Sequence, residues 1–545
     1  MNKKLLSRLA PGLFAVVLFT ACRPAATVKG NLDVIPQPQE IVLARDTTPF
    51  IIDRSTTIVY PATNEKMHRT ADFLATFIKE MTGTEVRVSD KEKSSNAIIL
   101  AVDSTMGHPE GYKLQITPEK VLLTGGSEAG VFYGIQTLPI LKDGKVAAAL
   151  PAGTVTDFPR FRYRGFMIDV GRHFFPVSYL KQMIDLMALH NINYFHWHLT
   201  EDQGWRIEIK KYPKLTEIGS KRDSTIIDWE TKKFDGKPHS GFYTQDEARE
   251  IVRYAADRFI TVVPEIDLPG HTTAALASYP ELGCTGGPYK VLCSFGVFPD
   301  VLCAGNDQTL QFTKDVLDEI MDIFPSEYIH IGGDECPKSR WEKCPKCQAK
   351  IKELGIKALP KHSKENQLQT YFMSELEKEI NAHGRRMLGW DEVLEGGLTP
   401  NSTIMSWRGI QGGIEAARQH HDVIMTPIQR LYFSNPRINK MTGFEWMNRV
   451  YNFEPVPAEL TDAEKKFVIG TQGCIWTEWT ADSTKMEWQI LPRMAALSEI
   501  QWTLPEHKNF ERFMERLPEM LKIYSSLDYG YREDVFAADT LKTHK

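Results

Sequence analysis

A regular alternation of short apolar strands with helical segments begins at Tyr163 and constrains the fold of this chain more than any other feature. Strands that alternate with helices predict a parallel sheet, and eight of them favour a closed (β/α)8 TIM barrel, with active residues at the C-terminal ends of the strands. An open doubly wound sheet is the alternative, but no glycine-rich nucleotide loop follows the first strand. The predicted strands are Tyr163–Val170, Ile192–Leu199, Ile260–Ile266, Tyr328–Ile331, Arg386–Trp390, Thr403–Trp407, Asp422–Thr426 and Val468–Trp476.

The chain of 545 residues is too long for one ordinary domain, but a large α/β barrel with a smaller domain accounts for it. We predict a small N-terminal α+β domain over residues 22–155, the barrel over 156–525 and a C-terminal tail over 526–545. Residues 151–159 are expected to link the two domains. The small domain is predicted to contain the strand Asn96–Val102, two strands over Tyr112–Thr124 and the helix Ala129–Leu141.

The first residues have the pattern of a targeting segment. Lys3 and Lys4 precede the short apolar run Leu13–Phe19, which predicts a signal peptide over residues 1–21. The run leads into Thr-Ala before Cys22, which resembles a bacterial lipobox with Cys22 as the acylated residue. A phenylalanine stands where leucine is usual, so cleavage by an ordinary signal peptidase is the alternative. We expect an exported protein that is lipid-anchored to a bacterial membrane, on the periplasmic side or at the cell surface.

Charge and cysteine usage restrict the partners and cofactors that we expect. The net charge of −5 and the lack of a long basic run argue against nucleic acid as a partner. Cys344 and Cys347 have C-x-x-C spacing with Cys336 nearby, but no second pair follows at zinc-finger spacing. An exported chain can form disulfides, although their pairing cannot be derived from the sequence. We therefore favour a local disulfide or plain thiols over a metal, and we expect no cofactor.

Polar and aromatic residues cluster directly after the predicted barrel strands. A barrel mouth rich in carboxylates and tryptophans suggests a sugar site, because carboxylates do acid/base work on acetals and indole faces pack on pyranose rings. The residues concerned are Asp169, Arg172, His173, His196, His198, Glu201, Asp202, Glu265, Asp267, His271, His330, Asp334, Glu335, Trp390, Asp391, Glu392, Trp407, Arg408, Tyr432, Trp476 and Glu478.

Each of these features also has an interpretation without a functional site. The pair Asp334–Glu335 alone is typical of a solvated loop, and tryptophans at strand ends more often belong to the core. His196 and His198 are compatible with hydrogen-bonded barrel histidines or with a pair of zinc ligands. Their coincidence at one barrel mouth is what favours a functional site.

Three blocks in combination resemble glycoside hydrolase family 20: His198–Trp205, Glu265–His271 and His330–Glu335. The resemblance covers roughly residues 33 to 505, because the N-terminal segments are similar to that family's first domain. Further similar segments are Ile35–Pro38, Gly134–Leu138, Gly389–Glu392, Ser406–Gly409 and Gly473–Glu478.

The resemblance implies an exo-acting retaining glycoside hydrolase that removes terminal non-reducing β-linked N-acetylhexosamine, GlcNAc or GalNAc, from a glycan or oligosaccharide. The substrate's own acetamido group is then the nucleophile and an oxazolinium ion the intermediate. Glu335 takes the role of general acid/base, Asp334 orients the acetamido group, and His271 belongs to a polar relay near them. The chemistry requires neither a metal nor an organic cofactor.

The resemblance also implies the residues that bind the sugar. Three tryptophans are expected to wall the acetamido pocket, a tyrosine to donate its hydroxyl to the acetamido oxygen, and three charged residues to bind sugar hydroxyls. In that order these residues are Trp390, Trp407 and Trp476, then Tyr432, then Arg172, Asp202 and Glu478.

One position departs from the family pattern. Ser434 stands where members commonly carry an aspartate that helps to hold the distal hydroxyls. With Arg430 close by in the sequence, this loss of a carboxylate could admit an anionic O6 substituent such as sulfate, and substitution by Asn435 or a neighbouring loop is the alternative.

Two other classes of function are compatible with parts of this pattern. A metal-dependent amidohydrolase barrel would use His196 and His198 as ligands, with His271 or Asp334 completing the site. A non-catalytic sugar-binding lipoprotein on a hydrolase fold is the second class, and the intact Asp334–Glu335 pair argues against it.

Overall fold

The predicted barrel is confirmed. The computed structural model describes residues 34–44, 48–138, 149–397, 399–435 and 440–536. Within them eight parallel strands close into a barrel, in which the first strand pairs with both the second and the eighth. The strands are Tyr163–Asp169, Tyr194–His198, Thr261–Leu268, Tyr328–Gly332, Arg386–Trp390, Thr403–Ser406, Val423–Met425 and Val468–Ile475, here called the first to eighth barrel strands.

Side chains fill the interior of the barrel, so it is a packed core and not a channel. Tyr163, Tyr194 and Tyr328 pack together on the side of the strands' N-terminal ends, and the first two rings stack with centroids 4.1 Å apart. Met167 and Val263 continue this interior cluster. Because the interior is filled, polar side chains meet only toward the C-terminal ends of the strands.

Helices surround the barrel, and their exposed turns carry the capping signals seen in the sequence. Thr244 and Glu247 form the reciprocal capping box that their spacing indicates. The helices are Val177–Leu189, Lys214–Glu217, Gln245–Ala256, Thr273–Ser278, Asp307–Ile323, Ser339–Lys343, Pro345–Glu353, Lys364–Ala382, Gln411–Arg418, Ile428–Leu431, Gly443–Tyr451, Asp462–Lys465, Ser483–Ile490, Arg493–Trp502 and Phe510–Ser526, with 3-10 turns at Pro280–Leu282, Asp391–Leu394, Pro505–His507 and Asp534–Phe536. Short two-stranded ribbons are Phe50–Ile51 with Ala149–Leu150, Thr200–Glu201 with Gly204–Trp205, Lys221–Arg222 with His239–Ser240, and Ile226–Asp228 with Lys233–Phe234.

The N-terminal domain is a seven-stranded mixed sheet with two helices, Glu65–Thr82 and Glu128–Gln136, that contact the sheet and each other. The predicted strands of this domain are present, and the helix predicted over Ala129–Leu141 is found at Glu128–Gln136, while residues 139–141 of that prediction lie outside the described residues. The strand order is Glu40–Leu43, Gly153–Asp157, Tyr112–Ile116, Lys120–Gly125, Ala97–Val102, Thr57–Val59 and Arg87–Ser89.

The expected linker over residues 151–159 is not a linker. Residues Gly153–Asp157 form a strand that pairs with Glu40–Leu43 on one side and Tyr112–Ile116 on the other. The predicted domain boundary between residues 155 and 156 therefore falls inside a strand. This short polar segment is extended because it forms hydrogen bonds with strands that are distant in sequence.

The two domains are joined through buried polar contacts. Arg164, in the first barrel strand, is fully buried and pairs with Glu110 of the small domain at 3.0 Å. Asp157 accepts hydrogen bonds from Tyr112 at 2.6 Å and from the indole of Trp502 at 2.9 Å. Groups buried in this way need their partners, so these contacts fix one domain against the other.

The two ends of the chain are described to different extents. The predicted signal peptide and Cys22 lie outside the described residues. The predicted C-terminal tail is described to residue 536, and there it packs on the barrel, because the carboxylate of Asp534 accepts a hydrogen bond from the backbone N–H of Gly443 at 3.2 Å. No helix in the described part of the chain has the length and apolar character needed to cross a membrane.

Candidate active site

A buried carboxylate on the third barrel strand lies at the base of the site. Glu265 Oε2 is 2.5 Å from His198 Nδ1 and 2.8 Å from His196 Nε2, while Oε1 is 3.0 Å from His330 Nδ1. The indole of Trp390 donates to the same Oε1 at 2.8 Å. Four side chains from the second, fourth and fifth strands thus meet one carboxylate.

The three side chains Glu265, His198 and His196 differ in their protonation. Burial alone opposes ionisation of Glu265, but His198, His330 and His196 outweigh it and hold the pKa of Glu265 well below its usual value. Burial opposes the charge on His198 as well, but Glu265 and Glu201 raise the pKa of His198 to about 10. Burial lowers the pKa of His196 to about 4. His198 is therefore the imidazolium partner of Glu265, and His196 is neutral.

The two histidines that could have served as metal ligands are committed to this carboxylate. His196 and His198 come from the same strand and both contact Glu265 Oε2. This arrangement matches the interpretation of hydrogen-bonded barrel histidines and gives no specific support to the amidohydrolase site.

A relay of buried groups leads from the barrel interior to the mouth. His271 Nδ1 lies 3.1 Å from Glu201 Oε2 and 3.2 Å from Asp202 Oδ2, and its Nε2 lies 3.3 Å from Glu335 Oε2. Burial opposes a charged imidazole, but Glu201, Asp202 and Glu335 outweigh it and raise the pKa of His271 well above its usual value. Arg172 balances the excess negative charge through a 2.6 Å contact with Glu201.

The structure places Asp202 in this relay rather than in contact with a sugar. Its side chain is 1% exposed, and its Oδ1 accepts hydrogen bonds from the backbone N–H and the hydroxyl of Thr273 at 2.9 and 2.5 Å. Its Oδ2 faces His271. The sugar-hydroxyl contact expected of Asp202 therefore disagrees with the geometry, because both oxygens are engaged inside the protein.

The turn after the fourth barrel strand presents Asp334 and Glu335. Gly332 and Gly333 have φ of 68° and 99°, and a Cβ on Gly332 would lie 1.8 Å from an oxygen of Asp267, so a side chain is excluded there. Glu335 itself has φ of 42°, a conformation unusual for a residue with a side chain. This backbone turns the Glu335 carboxylate, 37% exposed, toward solvent and leaves Asp334 buried.

Asp334 is a buried carboxyl with spare acceptor capacity. Among the described residues, its Oδ1 has no hydrogen-bond partner within the protein, although the residue lines the cleft described below. Burial raises the pKa of Asp334 to about 6, against the opposing effect of His271. An unsatisfied buried acceptor of this kind favours a ligand that brings an N–H.

An open cleft of about 300 Å³ lies above these carboxylates. It brings together seven of the ten predicted site residues, and Trp479, Ile428 and Asn435 add to its wall. The predicted residues are Arg172, Asp334, Glu335, Trp407, Tyr432, Trp476 and Glu478, and Ser434 lines the cleft as well. The other three predictions, Asp202, His271 and Trp390, lie below the cleft surface, where they support it.

The aromatic walls form one packed group. Trp407 and Tyr432 are nearly parallel with centroids 6.0 Å apart, and Trp476 is 5.8 Å from both Tyr432 and Trp390. Trp390 is only 1% exposed, so it supports Trp476 from behind rather than forming part of the open wall. Arg172 lies over the Trp476 ring at 4.9 Å from its centroid.

Two carboxylates that hold Trp407 were not assigned a role from the sequence. Glu392 accepts from the Trp407 indole at 2.8 Å, and Asp391 accepts from its backbone N–H at 3.1 Å while pairing with Arg408. Burial raises the pKa of Glu392 to about 8. Their position directly after the fifth strand was the available signal, but which carboxylate supports the wall and which faces the ligand depends on tertiary contacts.

The loop that departs from the family pattern holds the wall as well. Ser434 Oγ accepts from the backbone N–H of Trp476 at 3.1 Å. Arg430 donates to the carbonyl of Arg449 at 3.4 Å and is not among the residues that line the cleft. Among the described residues, Arg430 therefore gives no support to the expected pocket for an anionic O6 substituent.

Replacing Glu265 by Gln is expected to lower the free energy of unfolding by about 3–5 kcal/mol at pH 7, because it leaves a buried imidazolium without its partner. Urea unfolding measures the loss, with Glu217→Gln as an exposed control. A midpoint equal to that of the control would contradict the network.

The same pair predicts how stability depends on pH. The pKa of His198 is raised from 6.5 to about 10, so its contribution is complete below about pH 6.5 and is lost as the pH rises toward 10. The free energy of unfolding of the unmodified protein should therefore fall over this interval, and it should fall less in Glu265→Gln. An equal decline in both proteins would show that His198 is not the titrating group.

Comparison with known proteins places this site in a family. The model of the catalytic domain of glycosyl hydrolase family 20 matches residues 161–505, and the model of that family's domain 2 matches residues 31–158. A β-hexosaminidase of Porphyromonas gingivalis (strain ATCC BAA-308 / W83) is 42% identical over 504 residues, and the alignment covers 89% of this chain but 62% of that relative. A β-hexosaminidase of Vibrio furnissii is 34% identical over 440 residues, covering 78% of this chain and 71% of the relative.

Solved structures give the same result. The GH20 exo-β-N-acetylglucosaminidase from Vibrio harveyi in complex with N-acetylglucosamine matches with a TM-score of 0.80 at 30% identity, covering 93% of this chain and 79% of that chain. The β-N-acetylhexosaminidase from Bacteroides fragilis NCTC 9343 matches with a TM-score of 0.77 at 30% identity, covering 92% and 97%. The chain therefore belongs to glycosyl hydrolase family 20, as a glycosidase whose catalytic barrel follows the family's domain 2.

Proposed function

We propose that the protein is an exo-acting β-N-acetylhexosaminidase that removes terminal non-reducing β-linked N-acetylhexosamine with retention of configuration. The observation that carries this proposal is the pair Asp334–Glu335 in an aromatic-walled cleft, with one carboxylate buried and the other reaching solvent. The relatives named above as β-hexosaminidases support the reaction class. A pocket of about 300 Å³ suits one terminal sugar rather than a long chain.

Glu335 is the general acid/base of the proposed reaction. Its carboxyl protonates the glycosidic oxygen as the bond to the anomeric carbon breaks, and later accepts a proton from the water that attacks this carbon. His271, held by Asp202 and Glu201, contacts Glu335 at 3.3 Å and fixes its position through both steps. Precise placement matters because the same carboxyl acts on two oxygens in turn.

Asp334 acts on the acetamido group. The acetamido oxygen attacks the anomeric carbon and forms an oxazolinium ion, so the nitrogen gains positive charge and its N–H becomes a stronger donor. The Oδ1 of Asp334, which has no hydrogen-bond partner among the described residues, is positioned to accept that N–H and to stabilise the charge. Opening of the ring by water inverts the carbon a second time, which gives overall retention.

The remaining cleft residues bind the sugar. Trp407 and Trp476 wall the acetamido methyl group, and Tyr432, whose pKa burial raises well above its usual value, stays neutral and donates to the acetamido oxygen. Arg172 and Glu478 face the cleft and suit the sugar hydroxyls as donor and acceptor. Because Arg430 contacts Arg449, it does not support a sulfated substrate, and we propose an unsulfated sugar, with 6-sulfated N-acetylglucosamine as the alternative.

Release of an aryl alcohol from its β-N-acetylglucosaminide by the purified protein tests the reaction class. We expect rapid turnover, and Glu335→Gln should lower kcat by about 10²–10⁴-fold while the sugar still binds. Glu342→Gln changes an exposed carboxylate seven residues farther along the chain and serves as the matched control. A folded protein without turnover that still bound N-acetylglucosamine would instead support the non-catalytic sugar-binding protein.

The role of Asp334 predicts a pH dependence. Its carboxylate form is required, and its pKa of about 6 lies above the usual value, so kcat/KM should rise as the pH increases through about 6. Asp334→Asn should lower kcat/KM by about 10²–10³-fold and abolish this acid limb, because the neutral amide cannot stabilise the oxazolinium charge. An acid limb that persisted unchanged in Asp334→Asn would assign it to another group.

Substrates with fluorinated acetamido groups provide the control for this interpretation. Fluorine makes the carbonyl oxygen a poorer nucleophile, so kcat should fall with each fluorine in the unmodified protein. Turnover independent of fluorination would exclude the acetamido group as nucleophile and with it the proposed role of Asp334.

We also propose that Cys22 is acylated and holds the mature protein on a membrane, on the strength of the lipobox-like sequence before it. Cys22→Ala should move the exported protein from the membrane to the soluble fraction of its host. Recovery of the unmodified protein in the soluble fraction, with a non-acylated N-terminus by mass spectrometry, would favour the ordinary signal peptidase.

A further inference from the structure

Four cysteines that are distant in sequence converge on one point beside the barrel mouth. Cys284 and Cys303 lie in the segment between the third barrel strand and the next long helix, and Cys344 and Cys347 lie in the segment that follows the fourth barrel strand. The four sulfur atoms all lie within 4.8 Å of one another. Cys303, Cys344 and Cys347 are buried, and Cys284 is partly exposed.

The spacing of the sulfurs is that of a tetrahedral thiolate site. The Sγ of Cys303 is 3.6 Å from those of both Cys344 and Cys347, and the Sγ of Cys284 is 3.9 Å from that of Cys347. Four sulfurs at about 2.3 Å from a central Zn²⁺ would be about 3.8 Å apart. We propose that Cys284, Cys303, Cys344 and Cys347 bind one structural Zn²⁺ ion.

This proposal departs from the disulfide or free-thiol interpretation of the C-x-x-C sequence. That interpretation grouped Cys344 and Cys347 with Cys336, whereas the structure supplies Cys284 and Cys303 as partners. A single disulfide from Cys303 could form with only one of its two equidistant neighbours, Cys344 or Cys347. A tetrahedrally coordinated cation would bind all four sulfurs and leave no open coordination position, as is typical of structural zinc.

The backbone around the cluster allows the two cysteine-bearing segments to approach each other closely. Gly283 and Leu302 form an antiparallel bridge that holds together the two segments on which Cys284 and Cys303 lie. A Cβ on Gly305 would lie 2.4 Å from the backbone of Cys347, so only glycine allows the two loops to meet at this distance. The indole of Trp341 donates to the carbonyl of Leu302 at 2.9 Å and holds the same junction.

The surroundings can offset the negative charge of four thiolates. Cys347 lies in the first turn of the helix Pro345–Glu353, where the helix dipole favours a thiolate. Arg340, in the helix that precedes Cys344, pairs with Asp300 at 2.7 Å and adds a positive charge between the two segments that carry the cluster.

The role of the ion follows from the segments that it joins. Cys344 lies nine residues after Glu335, and Cys303 belongs to the loop that leaves the third strand beyond His271. A metal bound to both loops would hold the two segments that carry the acid/base and its relay against each other. The ion would be structural, since its four ligands leave no position for a substrate.

Metal analysis of the mature protein, purified in reducing buffer without chelator, tests the site. We expect about one zinc per chain, and replacement by Co²⁺ should give the intense visible absorption of a tetrahedral tetrathiolate. Cys303→Ser and Cys344→Ser should each lose at least about nine-tenths of the zinc and unfold at a lower temperature. Cys293→Ser, a cysteine outside the cluster, should keep its zinc and its Tm.

A second measurement on the unmodified protein keeps the test decisive if the cluster variants do not fold. Thiol-specific modification should release one zinc as four cysteines react, and peptide mapping should identify them as the four cluster cysteines. Zinc below about a tenth of the chain concentration, with these cysteines paired as disulfides or freely reactive in the folded protein, would overturn the proposal. Zinc that persisted in folded Cys303→Ser and Cys344→Ser would overturn it as well.

Discussion

The charge on Glu265 is the interaction on which the catalytic end of the barrel depends. A carboxylate at this depth is tolerated only because His198, His196 and His330 surround it and Trp390 donates to it. These partners come from the second, fourth and fifth strands, so one ionic centre sets the relative positions of three strand ends. The aromatic wall rests on it as well, since Trp390 supports the tryptophan that faces the cleft.

Above this centre, burial divides the carboxyl groups into different roles. Glu201 and Asp202 are buried and paired, and they orient His271. Asp334 is buried, and one of its oxygens has no partner in the described part of the chain, whereas Glu335 reaches solvent. Similar side chains therefore act as a relay, an acceptor for a developing charge and an acid/base, because each has a different exposure and a different set of partners.

Loop geometry is what maintains this division. The glycines at 332 and 333 allow the turn that presents Glu335, and a side chain at either position would strain it. The proposed metal site would join the segment after Glu335 to the segment beyond His271. A contact outside the cleft would then stabilise the strained turn that presents Glu335. A site that relies on distances near 3.3 Å between an imidazole and a carboxylate needs such support.

The sequence by itself determined the barrel and most of the cleft, because strands buried on both faces leave long apolar runs and polar residues then mark their C-terminal ends. Only the tertiary structure decided the rest. The strand Gly153–Asp157 has a weak local pattern and depends on distant pairing partners. Asp202 follows a strand like the residues of the cleft, yet its loop turns it inward to Thr273 and His271. The cysteine cluster combines two segments that come into contact only when the barrel closes. The spacing of cysteines along the chain cannot predict a contact of this kind.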